Sequence, residues 1–576
     1  MSPNKEIFPE VKLDRRIFPN IPREGQTRRA PGERFLCDFY VDVFRTYDET
    51  DPLFESLTKD LSYSGILLDL PAGEDGIKAG DVLFLRFSIP QGTLPEGYEH
   101  RVAIQATVAR VDKDEKTFAL QFAENLKTFL SRRRWRYFEY AGLLLIALTI
   151  LGISLIRMDS VFYFLFDVPV FFYGICTSLF LVSRFFFALF YRNVPIDPDY
   201  TPSVTIVIPC FNEEKFITRT IRCALDQDYP EDKLKVIVVD DGSTDRSVER
   251  VLEFQEQTRH LLKGDRLKVI VHKQNAGKRH VMATGTLDAD TELMIFVDSD
   301  SFLESIAVRQ LVQPLQDKRI GAVCGRCEVE NKWTNYITKM QAVRYFIAFQ
   351  IFKGAESVFD AVTCLSGPLS CYRRELILKY LDPWLNQKFF GLPATFGDDR
   401  SLTNFILPNH RVVYQHDSVC TTIVPSTFKQ FCTQQMRWKR SWLRESLRAG
   451  KFMWRTEPFM ALSFYAGLAL PVLAPFIVLR SFVYIPLMYG YLPITFILGI
   501  LLMSMLMSST YLILKRSNLW FYGGFFCLFY LGILLWQMMP AMFTFWKAEW
   551  GTRETAADVE AKKKRKAAQL KVEKVA

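Results

Sequence analysis

Two aspartates one residue apart, Asp298 and Asp300 in FVDSDSF, follow an apolar run that reads as a strand. Carboxylates so placed suit a hard divalent cation, Mg²⁺ or Mn²⁺, and leave coordination positions for phosphate oxygens. Asp240 and Asp241 end another β-rich run in VVDDGSTD, where a Gly-Ser turn alone would account for them. Asp398 and Asp399 in FGDDRSLTN lie on a loop entering a helix, and either would serve as an N-cap. Gln434, Arg437 and Trp438 in QQMRWKRSW would, by themselves, form a basic helix face at a membrane surface. Together the clusters hold what displacement of a diphosphate requires. A metal and a guanidinium stabilise the departing anion, a carboxylate takes the proton of a hydroxyl nucleophile, and an aromatic face receives a sugar ring.

Such residues need a scaffold. Residues 201–450 alternate apolar strands with helical stretches, the pattern of a parallel α/β sheet. Ligands collect at the carboxyl ends of strands in such sheets, where SVTIVIPCFN, KLKVIVVDDGSTD and ELMIFVDSDSF place their polar residues. The chain has 576 residues, a length for about three or four domains. It is 49% hydrophobic yet 23% charged, which fits soluble domains joined to membrane spans.

Uncharged stretches place those spans. The first covers 140–156 and the second about 168–191, so residues 137–192 read as two transmembrane helices. Arg184, near one end of the second, is expected to snorkel to the interface. Arginines before the first span and after the second put both flanks in the cytoplasm. From 459 to 546 the uncharged runs are Phe459–Leu479, Ser481–Leu514 and Ser517–Trp546. Three full spans would put the Lys-rich tail outside, so two spans and a re-entrant segment broken near Pro540 are expected. Residues 333–353 and 426–446 read as amphipathic helices at the cytoplasmic interface. The net charge of +9 gathers beside hydrophobic segments, as membrane anchors rather than a nucleic-acid surface. Cys324 and Cys327 form a CxxC with no second pair, so buried thiols are expected there rather than zinc. The polar first 30 residues do not read as a signal peptide.

The motif order resembles the processive family-2 glycosyltransferases of GT-A fold, which include cellulose, chitin and hyaluronan synthases. It is most similar to the hyaluronan synthase branch, through NAGKRH (275–280), SGPLSCYRRE (366–375), GDDRSLTN (397–404), QQMRWKRSW (434–442) and WGTR (550–553). The resemblance covers roughly 201–553 and implies roles. Asp241, with Asp240 nearby, holds the uridine end of a nucleotide-sugar donor, and Lys278 lies near the nucleotide. Asp298 and Asp300 place Mg²⁺ or Mn²⁺ on the diphosphate. Asp399 is the general base, with Asp398 the weaker candidate. Arg437 stabilises the leaving diphosphate, Trp438 floors the acceptor, and Gln434 completes the donor site. Trp550 and Arg553 in WGTR also belong to that site, or else anchor the chain at the interface. Residues 547–576 then carry this motif and a basic cytoplasmic tail.

Residues 1–27 read as a loose arm, and 28–130 as a small all-β domain. RRAPGER followed by DLSYSG resembles the PilZ domain, a β-barrel that binds cyclic di-GMP. The family motif is RxxxR and then (D/N)xSxxG. Asp60, Ser62 and Gly65 fit its second half, whereas Arg29 and Arg34 are separated by four residues instead of three, and Arg28 adds a further contact. Forked guanidinium donors suit guanine edges and phosphates.

The expected molecule is a multi-domain membrane protein: an N-terminal PilZ-like barrel, a GT-A α/β catalytic domain and an α-helical transmembrane channel. The expected activity is processive, inverting β-glycosyl transfer from a nucleotide sugar, with export of the polysaccharide and cyclic di-GMP as activator. Periplasmic or outer-membrane export proteins are expected partners. The alternatives are a non-processive membrane glycosyltransferase acting on a lipid or glycan, and a cyclic di-GMP receptor with an inactive transferase. Which sugar is polymerised stays open.

Overall fold

The computed structural model describes residues 34–36, 39–47, 49, 51–71, 76–90, 99–112, 116–132, 168–259, 265–394, 396–490 and 492–546. The expected arm, the span at 140–156, Arg28, Arg29, Trp550, Arg553 and the basic tail lie outside these residues. The chain divides into two compact units, residues 1–141 and, apart from Ile513–Ser517, residues 142–576, and each is described by itself.

The N-terminal unit is built from β1 (Arg34–Leu36), β2 (Tyr40–Phe44), β3 (Phe54–Ser62), β4 (Gly65–Asp69), β5 (Val82–Ile89), β6 (His100–Asp112) and β7 (Thr117–Phe122). The order β3-β2-β5-β6-β7-β4 closes on itself because β4 also pairs with β3. The result is a six-stranded antiparallel barrel, and closure leaves no free edge among those strands. Alternation fills its interior: along β5, Leu83, Leu85, Phe87 and Ile89 are buried. Leu126 and Leu130 of helix α1 (Leu126–Arg132) join the same core.

The second unit centres on an eight-stranded sheet, order β10-β9-β8-β11-β14-β13-β17-β12. Its strands are β8 (Val204–Cys210), β9 (Leu234–Asp240), β10 (Leu267–Val271), β11 (Leu293–Phe296), β12 (Ser301–Leu303), β13 (Ile320–Val329), β14 (Ser370–Arg373) and β17 (Arg411–Thr422). A two-stranded hairpin, β15 (Lys388–Phe389) with β16 (Leu392–Pro393), stands apart. The run β10-β9-β8-β11 is parallel, as its apolar letters lead one to expect. Beyond it the sheet is mixed: β14 runs antiparallel to both β11 and β13, and β12 antiparallel to β17. An apolar pattern reports burial on both faces and says nothing of strand direction.

Helix α2 (Val168–Ala188) and the helices Pro458–Tyr489 and Phe496–Lys515 are long and apolar enough to cross a membrane. The break between the last two falls at Gly490, whose φ is +71°, and not at Arg480. Arg480 instead continues its helix through a π-helical turn. A shorter apolar helix, Asn518–Leu534, follows, and a separate short helix, Met538–Met542, contains Pro540. Arg184 does not snorkel. It is buried at 2% exposure and lies on the lining of an internal cavity.

Candidate active site

The cavity has a volume of about 1540 Å³ and reaches from the strand ends to the apolar helices. Asp241, Lys278, Asp298, Asp300, Asp398, Asp399, Gln434, Arg437 and Trp438 all line it. Thus clusters up to 197 residues apart in the chain, from Asp241 to Trp438, share one space.

Strand β9 delivers Asp240 and Asp241 to its carboxyl end. Asp240 is spent on its own turn, accepting from the backbone N–H groups of Gly242 at 3.0 Å and Ser243 at 2.9 Å. It is not among the lining residues. Asp241 reaches across to the NAG turn, accepting from Ala276 N–H and Gly277 N–H, each at 2.8 Å. His272 Nδ1 sits 3.2 Å from its Oδ1. This bridge fixes the start of helix α3 (Lys278–Asp288), and hence the root of Lys278. In the same turn Asn275 Oδ1 is buried without a hydrogen-bond partner and lines the cavity.

Lys278 Nζ is ion-paired with Asp298 Oδ1. Burial opposes its charge, but Asp298, then Asp398 and Asp399, hold the ammonium above the ordinary lysine range. Thr422 Oγ1 lies 3.4 Å from Asp300 Oδ1. Among the described residues no group of three or more His, Cys, Asp or Glu side chains gathers as a metal site. Mg²⁺ on a nucleotide is commonly held by one or two carboxylates and completed by phosphate oxygens, and Asp298 with Asp300 fits that mode.

Helix α5 (Asp398–Ile406) presents the last carboxylate pair. Asp398 is buried and accepts from Arg279 Nε at 2.9 Å, both side chains being 5% exposed. Arg279 also donates to Trp384 O at 2.8 Å. Among the described residues Asp399 accepts from the Arg400 N–H at 2.9 Å and from the Cys364 thiol at 3.6 Å. Burial first, then Asp399, pushes that thiol up to about 12, so it remains a neutral donor. Gly397, which sets the turn, has φ +82°, and a Cβ there would strike Ser441 Oγ.

Helix α6 (Phe428–Ala449), N-capped by Thr427, carries Gln434, Arg437 and Trp438 to the cavity. Gln434 Oε1 is buried without a hydrogen-bond partner. Trp438 packs near Tyr345, ring centroids 6.4 Å apart, with the Arg344 guanidinium 5.3 Å from its ring. Sequence reading missed Arg279, Arg344 and Cys364. Arg279 stood inside a quoted motif, and only the fold shows that it meets Asp398.

In the barrel, the register sets Arg34 opposite Ser62 and Leu36 opposite Asp60, so the two halves of the expected ligand motif meet on β1 and β3. Ser62 Oγ receives the Gly65 N–H at 3.0 Å, and a Cβ on Gly65 would collide with the Leu120 carbonyl.

Three family descriptions match: Glycosyl transferase family 2 over residues 205–381, Chitin synthase over 391–575 and PilZ domain over 26–132. The hyaluronan synthase of Streptococcus pyogenes serotype M3 is 34% identical over 295 residues, 50% of this chain and 68% of that protein. The N-acetylglucosaminyltransferase of Rhizobium meliloti is 34% identical over 46% of this chain and 62% of that protein. A looser likeness, TM-score 0.44 and 22% identity over 62% of this chain and 96% of the other, is to a mannosyltransferase from Pyrobaculum calidifontis.

Proposed function

Because the chain belongs to the processive family-2 glycosyltransferases, the family of the streptococcal hyaluronan synthases, and joins that catalytic unit to a PilZ domain, we propose that it builds a polysaccharide from a nucleotide-sugar donor by inverting transfer and exports it across a bacterial inner membrane. The observation that carries this reading is the continuity of the cavity from Asp399 and Lys278 to Arg184, Phe464 and Gly467 on the apolar helices. A cavity serving a soluble acceptor would not need to reach them.

The acceptor sugar ring stacks over Trp438, and its hydroxyl gives its proton to Asp399 as the oxygen attacks the anomeric carbon. The bond from that carbon to the diphosphate breaks, and the departing oxygen takes the electron pair. Arg437 and Lys278 stabilise the charge that gathers there. A divalent cation at Asp298 and Asp300, when bound, supplies further charge neutralisation on the diphosphate. Asp241 holds the nucleoside end, and Asn275 and Gln434 offer hydrogen-bonding groups. Trp550 and Arg553 are proposed to complete the donor site. Attack opposite an α-linked nucleotide yields a β-linkage.

The barrel is proposed to bind cyclic di-GMP through Arg28, Arg29, Arg34, Asp60, Ser62 and Gly65 and so to raise activity. A ligand shifts an equilibrium only by its differential affinity for the two states, so the dinucleotide must bind better when the transferase accepts donor.

The test is purified full-length protein in lipid nanodiscs with radiolabelled nucleotide sugars, with and without cyclic di-GMP. Long products, their loss in EDTA and recovery with Mg²⁺ or Mn²⁺, and stimulation that disappears in Asp60→Ala are the expected results. Products extended by a single sugar would move the reading to a non-processive transferase, and unchanged rates with the dinucleotide would reduce the barrel to a docking module.

A further inference from the structure

Helix α4 (Tyr336–Phe346) is N-capped by Asn335 and runs directly into a π-helical turn, Ile347–Lys353. Arg344, Ala348, Phe352 and Glu356, spaced by four, all line the cavity. In an α-helix each step of four rotates the side chain by about 40°, so three steps would carry Glu356 off that face. A wider, π-helical turn offsets the drift. Such turns are frequent at functional sites, and this one ends on a lysine that the transfer chemistry leaves unused.

Lys353 lines the cavity, and its three protons are all committed. Nζ donates to Cys364 O at 2.7 Å, to Ser366 Oγ at 2.8 Å and to Cys324 Sγ at 3.0 Å. Glu356, one turn on, accepts from Thr363 N–H at 2.9 Å. Two residues of one helical stretch thus hold the chain from Thr363 to Ser366.

The loop they hold touches both sides of the candidate reaction centre. On one side the Cys364 thiol donates to Asp399 Oδ2 at 3.6 Å. Leu365 N–H donates to Thr403 Oγ1 at 3.2 Å, and that hydroxyl reaches Asp399 O at 2.7 Å. On the other side Gly367 abuts the Lys278–Asp298 pair. A Cβ there would stand 3.0 Å from Asp298 Oδ2 and 3.0 Å from Lys278 Nζ. The loop is therefore a spacer between the proposed base and the proposed diphosphate site. Loops are mobile unless tied down, and a misplacement of about 1 Å between reacting groups costs on the order of 10²-fold in rate.

We infer that Lys353 is a positioning residue for sugar transfer, holding residues 363–367 so that Asp399 keeps its place against the Lys278–Asp298 pair. The inference rests on the synthase reading and adds to it a residue that touches neither donor nor acceptor. A charged donor suits the task, because its hydrogen bonds are about twice as strong as neutral ones.

The test uses full-length protein in lipid nanodiscs and two readouts. The first is labelling of Cys364 by iodoacetamide, followed by tandem mass spectrometry. The thiolate is the species that reacts. Burial, then Asp399, pushes this thiol up to about 12, and the Lys353 charge acts against them. Removing that charge alone would slow labelling, whereas releasing the loop into water speeds it. Lys353→Met keeps the stem and loses the donors, and it should speed labelling by about tenfold, the scale of one charged hydrogen bond. The second readout is sugar transfer per UDP-binding site, the sites counted by calorimetry with UDP and Mg²⁺. Turnover should fall by about 10- to 100-fold while UDP affinity stays within about twofold. Lys353→Arg, which keeps a charged donor, should recover most of both. If Lys353→Met elutes as aggregate, Ser366→Ala, which removes one acceptor, should move both readouts the same way by about fivefold.

Parent levels of labelling and turnover overturn the inference. Faster labelling with unchanged turnover also overturns it, because the loop is then a bystander. Lost turnover with unchanged or slower labelling does so too, since Lys353 then acts through its field, as does a matching loss of UDP affinity, which would make it a donor contact. A parent protein that transfers no sugar from any donor sinks the synthase reading instead, and faster labelling in Lys353→Met would then leave the hold on the loop standing alone.

Discussion

The loop after β9 and the start of α5 carry the same dipeptide, Asp-Asp, and the fold spends the two differently. After β9 both carboxylates are taken up by backbone amides, Asp240 within its own turn and Asp241 on the turn that begins α3. At α5 one is taken and one is left. Asp398 is buried against Arg279, while Asp399 lines the cavity and forms no ion pair among the described residues. The difference separates two tasks. A carboxylate that organises a nucleotide loop works best when its oxygens are fully engaged, because engagement is what holds the loop. A carboxylate that receives a proton must keep a lone pair available to the acceptor.

The sharpest break of this comparison is Asp398→Ala. It strands a buried guanidinium, so stability should fall by about 3–5 kcal/mol. Thermal unfolding of the detergent-solubilised protein reads this directly, and Asp398→Leu with Arg279→Met should recover part of the loss. A variant as stable as the parent would mean that the Arg279 pair is dispensable. Next comes Asp399→Asn, which removes the proton acceptor while keeping shape. Turnover should fall by about 10²-fold or more with the melting temperature and donor affinity nearly unchanged. Retained turnover would transfer the role of base to Asp398. Asp241→Asn tests the other turn. Weakening two charged hydrogen bonds that root Lys278 should raise the apparent KM for donor by about tenfold, the scale of one such bond, with a smaller effect on kcat. The smallest effect belongs to Ser243→Ala. It removes one hydroxyl from the turn around Asp240, about 1 kcal/mol of stability, and should leave the kinetics alone.

Much of the catalytic face was legible in the letters. The runs VTIVIPC and LKVIVVD read as strands buried on both faces, and the polar residues that end them read as a site because parallel sheets gather ligands there. The barrel was legible as short β-type runs such as VLFLRFSI between Gly and Asp turns, but which side chain of each pair faces the interior is seen only in the fold, where every second residue of that strand is buried. Arg184 shows where reading stops. A lone arginine near the end of an apolar helix satisfies the snorkelling rule equally well whether it points to headgroups or to an internal cavity. Helix rotation is set by the neighbours on which the helix packs, and those neighbours are hundreds of residues away in the chain.

The amino-acid letters thus carry the inventory and its order: apolar runs of spanning length, strands that end in carboxylates, and a Gln-x-x-Arg-Trp helix before the membrane segments. Local rules govern these features, since burial periodicity and turn chemistry act over a few neighbouring residues. The tertiary structure alone decided which aspartate of each pair is consumed, that β14 runs against its neighbours, and that Arg184, Arg344 and Lys439 line one cavity. Those outcomes depend on which side chain stands across a gap of ångströms from another. Periodicity places a residue on a face, but only the packed chain supplies the partner on the other side.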